Sequence, residues 1–94
     1  MTNSPQEQRI TAVTDVLRDT LIRKDRDYGE SFARQFDKYG MLSGIIRIED
    51  KFRRLENLVG GAEANVDESV EDTLLDLAGY ALLCVVELRK VNVK

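Results

Sequence analysis

Leu74-Leu75-Asp76-Leu77-Ala78-Gly79-Tyr80-Ala81-Leu82-Leu83-Cys84-Val85-Val86-Glu87-Leu88 is the stretch on which the fold turns. At about 3.6 residues per turn, its leucines, valines and alanines fall on nearly every side of a helix. A helix of this kind is buried on several sides, and 94 residues leave little chain to cover it. Burial in a homo-oligomer is therefore expected. Asp67 stands where an N-cap would, and Glu68, Glu71 and Asp72 favour the positive end of the helix dipole. The sequence predicts this helix over 67–91.

The other elements read outward from it. Gly60-Gly61 stops the preceding helix and offers a residue for a left-handed C-terminal cap. Met41, Leu42, Ile45, Ile46, Ile48, Phe52, Leu55, Leu58 and Val59 form a helical stripe over 41–59. Ser31 to Asp37 reads as a short helical turn with Phe32 and Phe36 on one face, closed by Tyr39-Gly40. Arg23-Lys24-Asp25-Arg26-Asp27-Tyr28-Gly29 carries charge without an apolar period and reads as a connector, with Gly29 at a turn of positive φ. Ser4-Pro5-Gln6-Glu7 has the form of a capping box with proline at the first helical position. Ile10, Val13, Leu17 and Leu21 then mark a helix over 5–23. No stretch alternates as a strand does. The expected fold is all-α: three long helices plus one short helical turn, a single domain over 1–94 packed as a small bundle in a homo-oligomer.

Composition narrows the chemistry. Hydrophobic residues make up 43% and charged residues 33%, the balance of a globular domain rather than a disordered chain. There is no His and one Cys, so a Ser-His-Asp triad, a Cys-His pair, a His-rich zinc site and an internal disulfide are all excluded within the chain. Cys84, inside the apolar run, reads as a small buried hydrophobe. Carboxylates with bound Mg²⁺ or Mn²⁺, or binding without catalysis, remain. The polar start MTNSPQEQ lacks the apolar core of a secretory signal, and no run approaches the roughly 18–20 apolar residues of a membrane span. A cytoplasmic location and no membrane partner are expected. A net charge of −3 argues against binding extended nucleic acid.

That charge is unevenly spread. Residues 23–54 carry +3, residues 55–88 carry eight acids and no base, and the last six residues carry +3. Glu68, Asp72 and Asp76 recur every fourth residue and share a helix face, as do Arg47, Lys51 and Arg54 on the preceding helix. Asp76 is surrounded by leucines and needs a cation, either a metal or a basic side chain. A short connection from Val59 to Glu68 makes the two helices antiparallel neighbours. The register then sets Arg54 against Asp72 or Thr73, Lys51 against Asp76, and Arg47 near Tyr80. Two readings stand side by side. One is a ladder of ion pairs that fixes register. The other is a polar pocket taking phosphate on Arg47, Lys51 and Arg54 and a divalent metal on the acids. Glu49 with Arg53, and Asp50 with Arg54, have the spacing of surface pairs. Tyr28 and Tyr39, near Lys24, Arg34 and Lys38, are placed to stack on a nucleobase or to cover helix ends. Gly79 inside a helix calls for a close approach by another helix or a ligand.

Lys24-Asp25-Arg26-Asp27-Tyr28-Gly29, Lys38-Tyr39-Gly40, Arg47-Ile48-x-x-Lys51-x-x-Arg54-Leu55-x-x-Leu58 and Asp67 to Tyr80 follow one another in an order that resembles the phage and bacterial nucleotide modification associated domain family, over roughly residues 20–90. The resemblance implies a link to phage nucleotide metabolism. The acidic helix is also distantly similar to the MazG-like all-α nucleoside triphosphate pyrophosphohydrolases, in which E-x-x-E on one helix and E-x-x-D on the next hold Mg²⁺ near the phosphates. That likeness implies Asp72, Asp76, Glu68 and Glu49 as metal ligands. Its first motif is incomplete, because Glu49 is followed three residues on by Phe52 and Asp50 by Arg53.

The leading expectation is a small protein that holds or sequesters a phosphorylated, including cyclic, nucleotide at a helix–helix or inter-subunit pocket. By analogy it would act as a phage sponge for nucleotide immune signals. Lys24, Arg47, Lys51 and Arg54 would meet the phosphates and Tyr28 or Tyr80 the base. The alternatives are a Mg²⁺-dependent pyrophosphohydrolase and a helical scaffold.

Overall fold

A computed structural model describes residues 4–28, 30–61 and 66–92; within its helices, the side chains of 27, 28, 66–69, 91 and 92 lie outside that description. Four α-helices follow in order, α1 (Pro5–Tyr28), α2 (Ser31–Tyr39), α3 (Met41–Gly60) and α4 (Val66–Asn92), with no strand among the described residues. The fold is all-α as expected, but it has four helices rather than three and a turn. They fall into two compact units, residues 1–31 and 32–94.

The first unit is α1. Its start is the expected capping box: the Ser4 N–H donates to Glu7 Oε1 at 3.0 Å and the Glu7 N–H donates to Ser4 Oγ at 3.1 Å. Two of the helix's unsatisfied N–H groups are thereby closed. The backbone bond from Ser4, and then its hydroxyl bond, hold the Glu7 carboxyl below its ordinary value. The helix runs on through Arg23 to Tyr28, where a connector was expected. Nothing in that segment breaks a helix before Gly29, and Arg and Lys are good helix formers. A solvated helix needs no apolar period, so its charges do not end it. Arg26 in the last turn suits the negative end of the dipole. Gly29 itself lies outside the described residues; Glu30, which follows it, has a positive φ of 59°.

The second unit is built on α3 and α4. The segment expected as a single turn is a nine-residue helix, α2. Its Phe32 and Phe36 rings meet at 6.0 Å, and Phe36 is buried. Gly40 separates α2 from α3 with φ of 70°, a left-handed backbone that suits glycine. Its N–H closes on the Phe36 carbonyl at 2.6 Å, and its carbonyl accepts from Ser43 Oγ at 2.9 Å. At the other end α3 takes in Gly60, and Gly61 stands extended at φ −97°, so the expected left-handed cap is not formed.

The α3–α4 crossing is closest where Gly44 meets Cys84. A Cβ built on Gly44 would overlap Cys84 Sγ. Cys84 is buried, as expected for a small hydrophobe, and that burial pushes its thiol above the ordinary value. Ser43, Thr73, Gly79 and Glu87 are also buried. Glu87 is held by Lys90 at 2.8 Å. The wide apolar stripe of α3 divides. Ile48, Leu55 and Leu58 are partly covered, whereas Leu42, Ile45, Ile46, Phe52 and Val59 stay exposed. No described helix is long and apolar enough to cross a membrane.

Candidate functional site

Side chains of opposite kind meet along the α3–α4 contact in the expected register. Lys51 Nζ lies 3.3 Å from Asp76 Oδ2. One turn earlier on α3, Arg47 Nη1 donates to the Tyr80 hydroxyl at 3.2 Å, one turn later on α4. The numbering rises on one helix as it falls on the other, so the helices are antiparallel. The ladder ends there. Arg54 and Asp72 are both exposed, and among the described residues no ion pair joins Arg54 to Asp72 or to Asp50. Glu49 forms its surface pair with Arg53 at 3.3 Å.

Arg47 is the junction of all three helices in this unit. Its Nη2 donates to Gln35 Oε1 of α2 at 2.8 Å, and its guanidinium carbon sits 5.6 Å from the centre of the Tyr80 ring. The Tyr80 ring in turn packs on Phe32 at 5.9 Å. Both hydrogen-bond partners of Arg47 are neutral, and among the described residues no carboxylate pairs with it. Lys51 differs: its charge is answered by Asp76. The two cations that sequence spacing makes equivalent are thus electrostatically distinct.

A cavity of about 210 Å³ opens beside Arg47 between α2 and α3, lined by Gln35, Tyr39, Leu42, Ser43, Ile46 and Arg47. Tyr39 is well exposed, with Lys38 Nζ 5.3 Å from its ring centre. The cavity therefore joins an apolar floor, an unneutralised guanidinium and an accessible aromatic ring.

Lys24 lies on α1, in the first unit. The Tyr28 and Glu68 side chains lie outside the described residues. Among the described residues no three Cys, Asp or Glu side chains group as a metal site would require. Sequence reasoning missed Gln35 and Gly44. Gln35 carries no spacing signal of its own, and the only cue was that it precedes the core residue Phe36. Gly44 stands between apolar pairs inside the α3 stripe, where a helix-weakening glycine was a cue to a close approach.

An all-α domain with a cationic, aromatic cleft is the class that this geometry defines. The chain belongs to the nucleotide modification associated domain 1 family, whose model matches residues 24–88. That span takes in α2, α3 and most of α4. No curated protein and no solved structure matches the chain.

Proposed function

We propose that the protein binds a small phosphorylated nucleotide in the cleft between α2 and α3 and releases it unchanged. The observation that carries this reading is Arg47: a guanidinium facing a cavity and, among the described residues, bonded only to neutral groups. Arginine presents five N–H donors in a planar fork suited to phosphate oxygens. The Tyr80 hydroxyl accepts from Arg47 and keeps its own proton to offer. Tyr39 is the exposed ring on which a base can stack, on the face that Lys38 leaves open, because Tyr80 is already packed against Phe32. At 210 Å³ the cavity is below the roughly 300–1,000 Å³ of pockets that enclose a whole ligand. It suits one part of a nucleotide, with the rest lying over Tyr39. A cyclic nucleotide meets the same needs as a linear one.

Binding without turnover fits the acids better than the Mg²⁺-dependent pyrophosphohydrolase does. Asp76 is engaged by Lys51, and Glu49 by Arg53. A metal at Asp76 would compete with an ammonium group already in place. The test is incubation with a panel of nucleoside phosphates and cyclic dinucleotides, with and without Mg²⁺, followed by denaturation and mass spectrometry of what was held. Intact ligand is expected, lost in Arg47→Gln and weakened about fivefold or more in Tyr39→Ala, given about 1–3 kcal/mol per base stack. Absence of any bound nucleotide, or turnover abolished by Asp76→Asn, would overturn the reading.

A further inference from the structure

A face of α4 beside its contact with α3 has its own order. Leu74, Ala78, Ala81, Val85 and Leu88 follow at spacings of four, three, four and three, the a/d rhythm of a helix that packs against another helix. This line flanks the residues that α4 buries, Thr73, Cys84 and Glu87: Ala81 stands three residues before Cys84 and Leu88 four after it. Leu74, Val85 and Leu88 are 47%, 48% and 43% exposed, and Ala78 and Ala81 are exposed as well. The line carries no charge. Along one of its edges stand Glu71 and Arg89, both exposed. They are eighteen residues apart, about five full turns, and so share one azimuth.

We propose that this face pairs with the same face of a second copy of the chain, with the α4 helices antiparallel about a two-fold axis close to Ala81. The pairing follows from residue number and charge. In an antiparallel pair centred there, Leu74 meets Leu88 of the second copy, Ala78 meets Val85, and Ala81 meets Ala81. Residues on matching edges of antiparallel helices face each other. Glu71 then meets Arg89 of the second copy, and the two-fold axis repeats the contact at the far end. A parallel pairing instead sets Glu71 against Glu71 and Arg89 against Arg89, which like-charge repulsion disfavours. The alanines at the centre let the backbones come close, and the leucines at the ends close the seam. A self-complementary patch of this kind is what a two-fold dimer requires. The pairing uses none of the residues of the α2–α3 cleft, so it stands or falls independently of nucleotide binding.

Light scattering or sedimentation on the full chain tests it. The wild type is expected at twice 10.7 kDa or a higher even multiple. Ala81→Glu, which opposes its own copy across the axis, raises the dissociation constant at least a hundredfold. Glu71→Arg and Arg89→Glu each raise it several-fold, and the double exchange brings it back. Ala81→Cys gives a covalent dimer on mild oxidation, whereas Arg53→Cys on the exposed side of α3 does not. A monomeric wild type overturns the proposal. So does an oligomer whose mass is indifferent to Ala81→Glu, or charge exchanges whose effects fail to compensate. Should Ala81→Glu fail to fold, the Glu71 and Arg89 exchanges and the cysteine pair decide the matter alone.

Discussion

Replacing Gly44 with alanine should destabilise the protein, although alanine is the better helix residue. Gly44 is interior to α3, so the substitution gains about 1 kcal/mol in helix propensity. Against that, the new methyl group overlaps Cys84 Sγ. Overpacking a filled core costs about 1–3 kcal/mol. Both residues are buried and the clash lies at the helix crossing, so the upper half of that range applies. The net loss is about 1–2 kcal/mol, or a fall in Tm of about 5–15 °C for a domain of this size. The sharper test uses Cys84→Ala. In the wild type that change removes one buried atom and lowers stability by about 1 kcal/mol. In the Gly44→Ala background it removes the clash and should raise stability. A double-mutant cycle by thermal or urea unfolding, followed by circular dichroism, reads the reversal of sign. A Gly44→Ala protein that melts above wild type, or a Cys84→Ala change that is harmful in both backgrounds, would refute the close approach of α3 and α4 at this point.

The Lys51–Asp76 pair is partly exposed, so its loss is modest. Asp76→Asn should cost about 0.5–1 kcal/mol, and Lys51→Met should cost no more, because both side chains of the pair keep contact with solvent. Urea unfolding of both variants checks it, and a loss above about 3 kcal/mol would show a larger role for Asp76. Near the chain start, the hydrogen bonds with Ser4 hold the carboxyl of Glu7 below its ordinary value in the folded state. Its cap is therefore complete above that value and fades as acidification passes through the lowered one. The amide shifts of Ser4 and Glu7, followed by NMR through the acid range, should move together, and Glu7→Gln should flatten the titration while keeping the helix start.

What could be read beforehand depended on which forces decide each element. The α3–α4 register was legible because apolar periodicity and a short connection leave little freedom, and Lys51–Asp76 and Arg47–Tyr80 fall where counting puts them. The capping box was legible for the same reason: it is local chemistry. The end of α1 was not. Its last turn is charged and solvated, and periodicity is silent where no face is buried. The length of α2 was hidden by the shortness of its apolar signal, two phenylalanines one turn apart. The site was half legible. Spacing grouped Arg47, Lys51 and Arg54 as equals, but only contacts distinguish a neutralised cation from an unneutralised one. Gln35, which makes that distinction for Arg47, is invisible to any spacing rule.

Arg47 holds α2 to the rest of its unit with two of its five N–H groups, and among the described residues the other three take no partner. An anion arriving on those three does not have to displace Gln35 or Tyr80. It adds a further tie to a joint already made. Occupancy would then register as slower hydrogen exchange along α2, with no change in helix positions. That short helix would become the reporter of the bound state.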